Sequence, residues 1–128
     1  MDIGIRKDTV LSENRSWLGS AHGTDATRTI TLDLAKFTSK VTDGVLKSGL
    51  VLGRITASGL YGPYDNAATD GRETAAGFLF NTIPATTTST RVGAPLLEHG
   101  AVIEAELPTG HGLDAAAKTD LAGRVIIR

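Results

Sequence analysis

Apolar residues in this chain come in runs too short for ordinary helices, and glycine or proline closes almost every one. Thr29, Thr31 and Asp33 alternate with Ile30, Leu32 and Leu34, the period-2 pattern of a half-buried strand, in a body that begins near Thr27. Asp43-Gly44 marks a turn. Leu50 to Ala57 is apolar at nearly every position, which predicts a strand buried on both faces. Gly53 inside it predicts a bulge or a close backbone approach. Ser58-Gly59 turns the chain into Leu60-Tyr61, which Gly62-Pro63 ends; Tyr64 to Glu73 is a polar loop. Ala75 to Ile83 is the next strand, closed by Pro84. Thr86 to Thr90 reads as a solvated loop. Pro95 argues against a central strand before Leu96-Leu97. Ala101, Ile103, Ala105 and Leu107 alternate with Val102, Glu104 and Glu106, predicting a strand that Pro108 ends. The one good helix is short: Asp114 caps Ala115 to Leu121, and Gly123-Arg124 supply the stop before a last strand at Val125-Ile126-Ile127. The expected fold class is mainly β, with short strands and one short C-terminal helix.

The first residues differ. They are polar, broken by Gly4, Gly19 and Gly23, and sparse in apolar side chains: Ile3, Ile5, Val10, Leu11, Trp17 and Leu18. Asp2 to Arg6 alternates like an extended strand with one apolar face. The stretch holds too little apolar material to pack as its own unit. Residues 1–26 therefore read as an extended arm and residues 27–128 as a single folded body. Two fates for the arm stay open on this reading. It folds back onto its own domain, or it adds to another protein as a strand, with Trp17 anchoring its base.

Composition removes several function classes. The 128 residues include no cysteine, which excludes disulfide scaffolds, thiolate zinc sites and Cys nucleophiles. Thirteen basic and 14 acidic residues give a formal charge of −1, without the basic footprint of a nucleic-acid binder. No apolar run approaches the roughly 18–20 residues of a membrane helix. Asp2, Arg6, Lys7, Asp8, Glu13 and Arg15 interrupt any signal-like core, so the chain is expected to be made in, and at first kept in, a cytoplasm.

Catalytic motifs are weak. His22, His99 and His111 stand apart with no ligand spacing, so surface histidines are the simpler reading and no metal or cofactor is expected. Glu104 and Glu106 on one strand face would lie about 6–7 Å apart, a carboxylate pair that an exposed strand supplies without any catalytic meaning. Lys47-Ser48-Gly49 has the wrong order for a phosphate-binding loop. No catalytic residue is assigned.

A longer pattern is more specific. Leu46 to Ile55 reads L-x-x-G-x-V-L-G-x-I. Tyr61 to Gly71 reads Y-x-P-Y-D-x-A-A-x-D-G, and Ala75 to Leu79 reads A-A-G-x-L. Leu113 to Lys118 and Gly123 to Ile127 continue it. In this order the segments resemble the head decoration proteins of tailed bacteriophages, the lambda protein D type, over about residues 27–127. The longer arm with Trp17 and Ser20 to Thr24 resembles relatives with extended N-termini and departs from the lambda protein, so detailed arm contacts do not transfer.

The resemblance implies a β-clip (β-tulip) body, a homotrimer, and a non-enzymatic role without cofactor or metal. It implies binding to the outside of the expanded head, where the N-terminal arm adds a strand to the major capsid protein and cements the shell against packaged DNA. Direct nucleic-acid and membrane contacts are not implied. Ile3, Ile5, Val10, Leu11 and Trp17 are then the expected capsid-contact residues, and Leu60, Tyr61 and Tyr64 the trimer-interface candidates. The alternatives are a stand-alone β-clip module that binds or transforms a ligand such as a sugar or nucleotide, and a fibre or tail-associated protein of similar fold.

Overall fold

The computed structural model describes residues 13–85 and 90–128. The strand expected over Asp2 to Arg6 and residues 86–89 of the expected solvated loop lie outside these residues. Among the described residues, nine strands, two short 3₁₀ turns and one helix follow in order: β1 (Arg28–Asp33), β2 (Val45–Leu46), β3 (Val51–Arg54), β4 (Tyr61–Pro63), β5 (Ala75–Leu79), β6 (Ile83–Pro84), β7 (Arg91–Leu97), β8 (Gly100–Val102), α1 (Ala115–Leu121) and β9 (Val125–Ile127). The fold is mainly β. Five strands close into a small barrel in the order β1-β4-β3-β5-β7; β2-β6 and β8-β9 form two further two-stranded sheets.

Period-2 alternation explains the barrel. In β1, Ile30 and Leu32 are buried while Thr29 and Thr31 face water. β3, β5 and β7 carry apolar side chains on both faces, and adjacent residues go to opposite sides of the wall. Leu52, Leu79 and Leu96 join Ile30, Leu32, Phe37 and Tyr61 in one apolar cluster. Their neighbours Val51, Phe78 and Leu97 join Trp17, Val102, Leu113, Ala117 and Leu121 in the other. The second cluster is roofed by α1 and the β8-β9 sheet. Doubly buried strands need apolar residues at both parities, which is why Leu50 to Leu52 shows no alternation.

The local signals at Gly53 and Asp114 are both realised. The β3-β5 register shifts between Leu52 and Gly53, and a Cβ on Gly53 would stand 2.7 Å from the Arg72 Cα. Asp114 accepts from the Ala117 amide at 2.8 Å and starts α1, whose inner face is Ala117 and Leu121; Gly123, at φ +87°, follows it.

Three expectations need correction. The strand expected over Ala101 to Leu107 stops at Val102, because its ladder to β9 is only three residues long; the chain then turns, with Glu106 N–H and Leu107 N–H bonded back to Ile103 and Glu104. Glu104 and Glu106 therefore share a 3₁₀ turn and not a strand face, and Glu104 pairs with Lys118. The strand expected over Ala75 to Ile83 is two: β5 ends at Leu79, and Ile83–Pro84 pairs instead with β2. Pro95 does sit inside a barrel strand, opposite Thr29 on one side. On its other side the β5-β7 register, Phe78 with Leu97 and Leu79 with Leu96, brings Phe80 opposite Pro95 just as β5 ends. The missing proline N–H thus falls at the last rung of that ladder.

Candidate functional site

The segment 13–19 lies against the body and is held there by both backbone and side-chain contacts. Its backbone extends the β8-β9 sheet. Leu18 bridges Val102 in antiparallel sense, Gly19 N–H donates to the Ala101 carbonyl at 2.8 Å, and Ile103 N–H donates to the Trp17 carbonyl at 2.7 Å. Contact with the body therefore reaches well ahead of Thr27.

Its side chains cross β5 and the residues just after it. Trp17 is 1 % exposed and stacks on Phe78 with ring centroids 5.7 Å apart. Its indole N–H donates to Ser48 Oγ at 3.1 Å, and Ser48 Oγ donates in turn to the Phe80 carbonyl at 2.7 Å. Gly49, at φ +104°, makes room: a Cβ there would lie 3.2 Å from the indole and 2.7 Å from Pro108. Two residues earlier, the Arg15 guanidinium lies 4.0 Å from the Phe80 ring centroid, a cation–π arrangement. Arg15 Nε donates to the Phe80 carbonyl at 3.1 Å, and its terminal nitrogen donates to Asn81 Oδ1. Two residues earlier again, the Glu13 carboxylate accepts the Thr82 N–H at 2.9 Å.

Proline chemistry creates the acceptor in the middle of this clasp. Phe80 N–H donates to the Pro95 carbonyl at 3.1 Å, half of an antiparallel rung. The other half would be a residue-95 N–H donating to the Phe80 carbonyl, and proline has none. That carbonyl is left to Ser48 and Arg15, so a half-buried acceptor without its ladder donor is satisfied by a hydroxyl of the body and by the arm root.

The remaining expected site residues fall as follows. Ile3, Ile5, Val10 and Leu11 lie outside the described residues. Tyr61 packs in the barrel cluster and its hydroxyl accepts from Arg28 at 2.9 Å. Tyr64 packs under α1 and donates to Asp114 Oδ1 at 2.9 Å; burial, with that hydrogen bond and the Asp114 charge, pushes its hydroxyl up to about 12. The Ala117 amide and the Tyr64 hydroxyl hold the Asp114 carboxyl below its usual range. Both tyrosine rings are thus used within one chain, and Leu60 alone of the three trimer candidates keeps appreciable surface. Sequence reading pointed to Trp17 but missed Arg15, Ser48, Phe80 and Pro95; the only available signal was the shared parity of Arg15 with Trp17 and of Phe78 with Phe80.

Ligand chemistry finds less support. His22 and His99 are exposed. His111 is half-buried, its Nδ1 accepts the Leu113 N–H at 2.8 Å, and desolvation lowers its pKa. Among the described residues no group of three or more His, Asp or Glu side chains is placed to hold a metal ion. An open cleft of about 440 Å³ includes Arg28, Arg54, Glu73, Glu98 and Arg124 in its lining. Most of that charge is engaged internally: Arg28 pairs with Glu98 at 3.3 Å, Arg124 donates to the carbonyls of Ala75, Ala76 and Asp120, and Glu73 accepts the Gly71 N–H. Among the described residues no helix is long and apolar enough to cross a membrane.

Comparison with known families adds one finding. Residues 14–125 match the family described as bacteriophage lambda head decoration protein D. The match begins inside the clasp and ends in β9. No curated protein matches the chain.

Proposed function

This chain belongs to the bacteriophage lambda head decoration protein D family, structural proteins of the phage capsid, and from that premise we propose how it decorates: as a trimer on the outside of the expanded head, with its N-terminal arm on the major capsid protein. The observation that carries the reading is the family match over nearly the whole chain. The clasp at 13–19 fits it, because it fastens the root of an arm to the folded body.

In this reading the body is a β-clip and the protein acts as cement rather than catalyst. Ile3 and Ile5 fill successive pockets on one face of an added strand, Val10 and Leu11 extend that contact, and Trp17 holds the root. One short arm binds weakly, since each ordered residue costs about 1–2 kcal/mol of backbone entropy. Three arms on one trimer raise avidity about 10²–10⁴-fold through effective concentration. Binding stabilises the expanded shell against the pressure of packaged DNA only to the extent that it prefers that state over the precursor. The near-neutral charge suits an outer surface away from DNA. Leu60 is the trimer contact to test; a Leu60→Asp chain that keeps its oligomeric mass would remove it.

The decisive experiment is co-sedimentation with undecorated heads, unexpanded and expanded. The full chain is expected to bind expanded heads saturably and unexpanded heads poorly. A chain carrying both Ile3→Asp and Ile5→Asp should keep its fold and lose binding. Undiminished binding by that variant would move the contacts to the body. Absence of binding by the full, folded chain would overturn the decoration reading.

A further inference from the structure

The arm root keeps one register against the end of β5. Trp17 meets Phe78, Arg15 meets Phe80 and Glu13 meets Thr82, so each two-residue step back along the arm is a two-residue step forward past β5. The contacts are graded in burial: Trp17 is sealed, Arg15 is half-buried and Glu13 is exposed. Each therefore restrains the chain less than the one before it. The turn closed by Leu18 N–H on the Arg15 carbonyl at 3.0 Å holds the backbone as far as Arg15, and ahead of it the Arg15 and Glu13 side chains make the contacts to the body.

Arg15 occupies a socket made for it. Phe80 offers its ring face and a carbonyl that Pro95 leaves without a ladder donor, and Asn81 offers a side-chain oxygen to the same guanidinium. Cation, fork geometry and planar face all suit arginine and no other residue as well. The apolar core is already closed beneath it by Trp17.

We propose that Arg15 is the positioning residue of the arm: its docking on Phe80 and Asn81 fixes the line along which the chain leaves the body, so that the arm meets the capsid already aimed. The inference rests on the decoration reading. Its physical content is preorganisation, because orientations removed from the free protein need not be removed on binding. Glu13 on Thr82 extends the same line by one more step.

The test uses the full chain with Arg15→Ala and, separately, Arg15→Lys. Three quantities are read: the thermal midpoint, amide hydrogen exchange at Thr82 against Gly19 and Ile103, and the affinity for undecorated expanded heads. Arg15→Ala is expected to keep the Gly19 and Ile103 amides protected and to accelerate Thr82 exchange. Its affinity for heads should fall roughly tenfold, the scale of one charge-assisted hydrogen bond and a ring contact, at unchanged copy number. Arg15→Lys keeps the charge over Phe80 but not the fork, and should fall between. Parent-like affinity of Arg15→Ala would overturn the proposal. So would weak binding accompanied by a lower midpoint and exposed Gly19 and Ile103 amides, which would mark a role in the fold alone. If the parent itself fails to bind heads, the decoration reading fails and the positioning role with it, whereas the exchange data still report whether the clasp exists.

Discussion

Trp17 is the residue at which arm and body become one structure, and its two kinds of contact are separable. Trp17→Ala removes a fully buried ring and should cost about 3–5 kcal/mol in urea unfolding. Trp17→Phe keeps a ring over Phe78 but removes the donor to Ser48, whose hydroxyl still reaches Phe80; a loss nearer 1 kcal/mol is expected. His111 gives a pH effect. Its neutral Nδ1 accepts the Leu113 N–H, and desolvation lowers its pKa, with Lys40 and Lys118 acting in the same sense and Glu104 against. The unfolded chain therefore binds the proton more readily. The stability this adds is present above the ordinary histidine value and is lost as pH falls through the lowered one. His111→Asn retains an acceptor without the titration, so its thermal midpoint should fall less than that of the parent between neutral and mildly acidic pH. Neither Trp17's partners nor His111's role is legible locally: Ser48 and Phe78 lie far along the chain, and a histidine beside glycines looks the same whether its ring nitrogen is engaged or free.

Elements whose register is set by their own residues were readable, and those set by a partner were not. Asp114 before three alanines announces α1, and the alternation from Thr29 to Leu34 announces β1, because cap chemistry and parity are local. The breaks after Leu79 and after Val102 depend on where β7 and β9 stop offering rungs, which no residue at the break records. Pro95 is the sharpest case: a residue that argues against a central strand is tolerated in one because its missing donor falls at the last β5-β7 rung. Pro95→Ala restores an N–H there in competition with Arg15. Thr82 amide exchange should quicken in that variant while overall stability stays within about 1 kcal/mol. At α1, Asp114→Ala removes the cap and the Tyr64 acceptor together. Loss of about 1 kcal/mol is expected. The Tyr64 hydroxyl, followed by ultraviolet titration, should come down from about 12 yet remain above the ordinary tyrosine value, since burial persists.

At the scale of the whole molecule, β3, β5 and β7 each contribute residues to both apolar clusters, so neither cluster can be lost while the other remains. A single cooperative thermal transition is expected. Deleting residues 2–19 takes Trp17 out of the core and should abolish folding; calorimetry on the truncated chain checks this. The same layout has a mechanical side. Tension applied at Glu13 arrives first just after β5, through Thr82 and Phe80, and then within β5, through Phe78. β5 is flanked by β3 on one side and β7 on the other within a closed ring. The load that reaches β5 is therefore shared between two ladders of the ring, and what passes beyond Trp17 reaches β8 through the Leu18–Val102 bridge. A tether rooted in this way divides its load between the ring and the small sheet beside it.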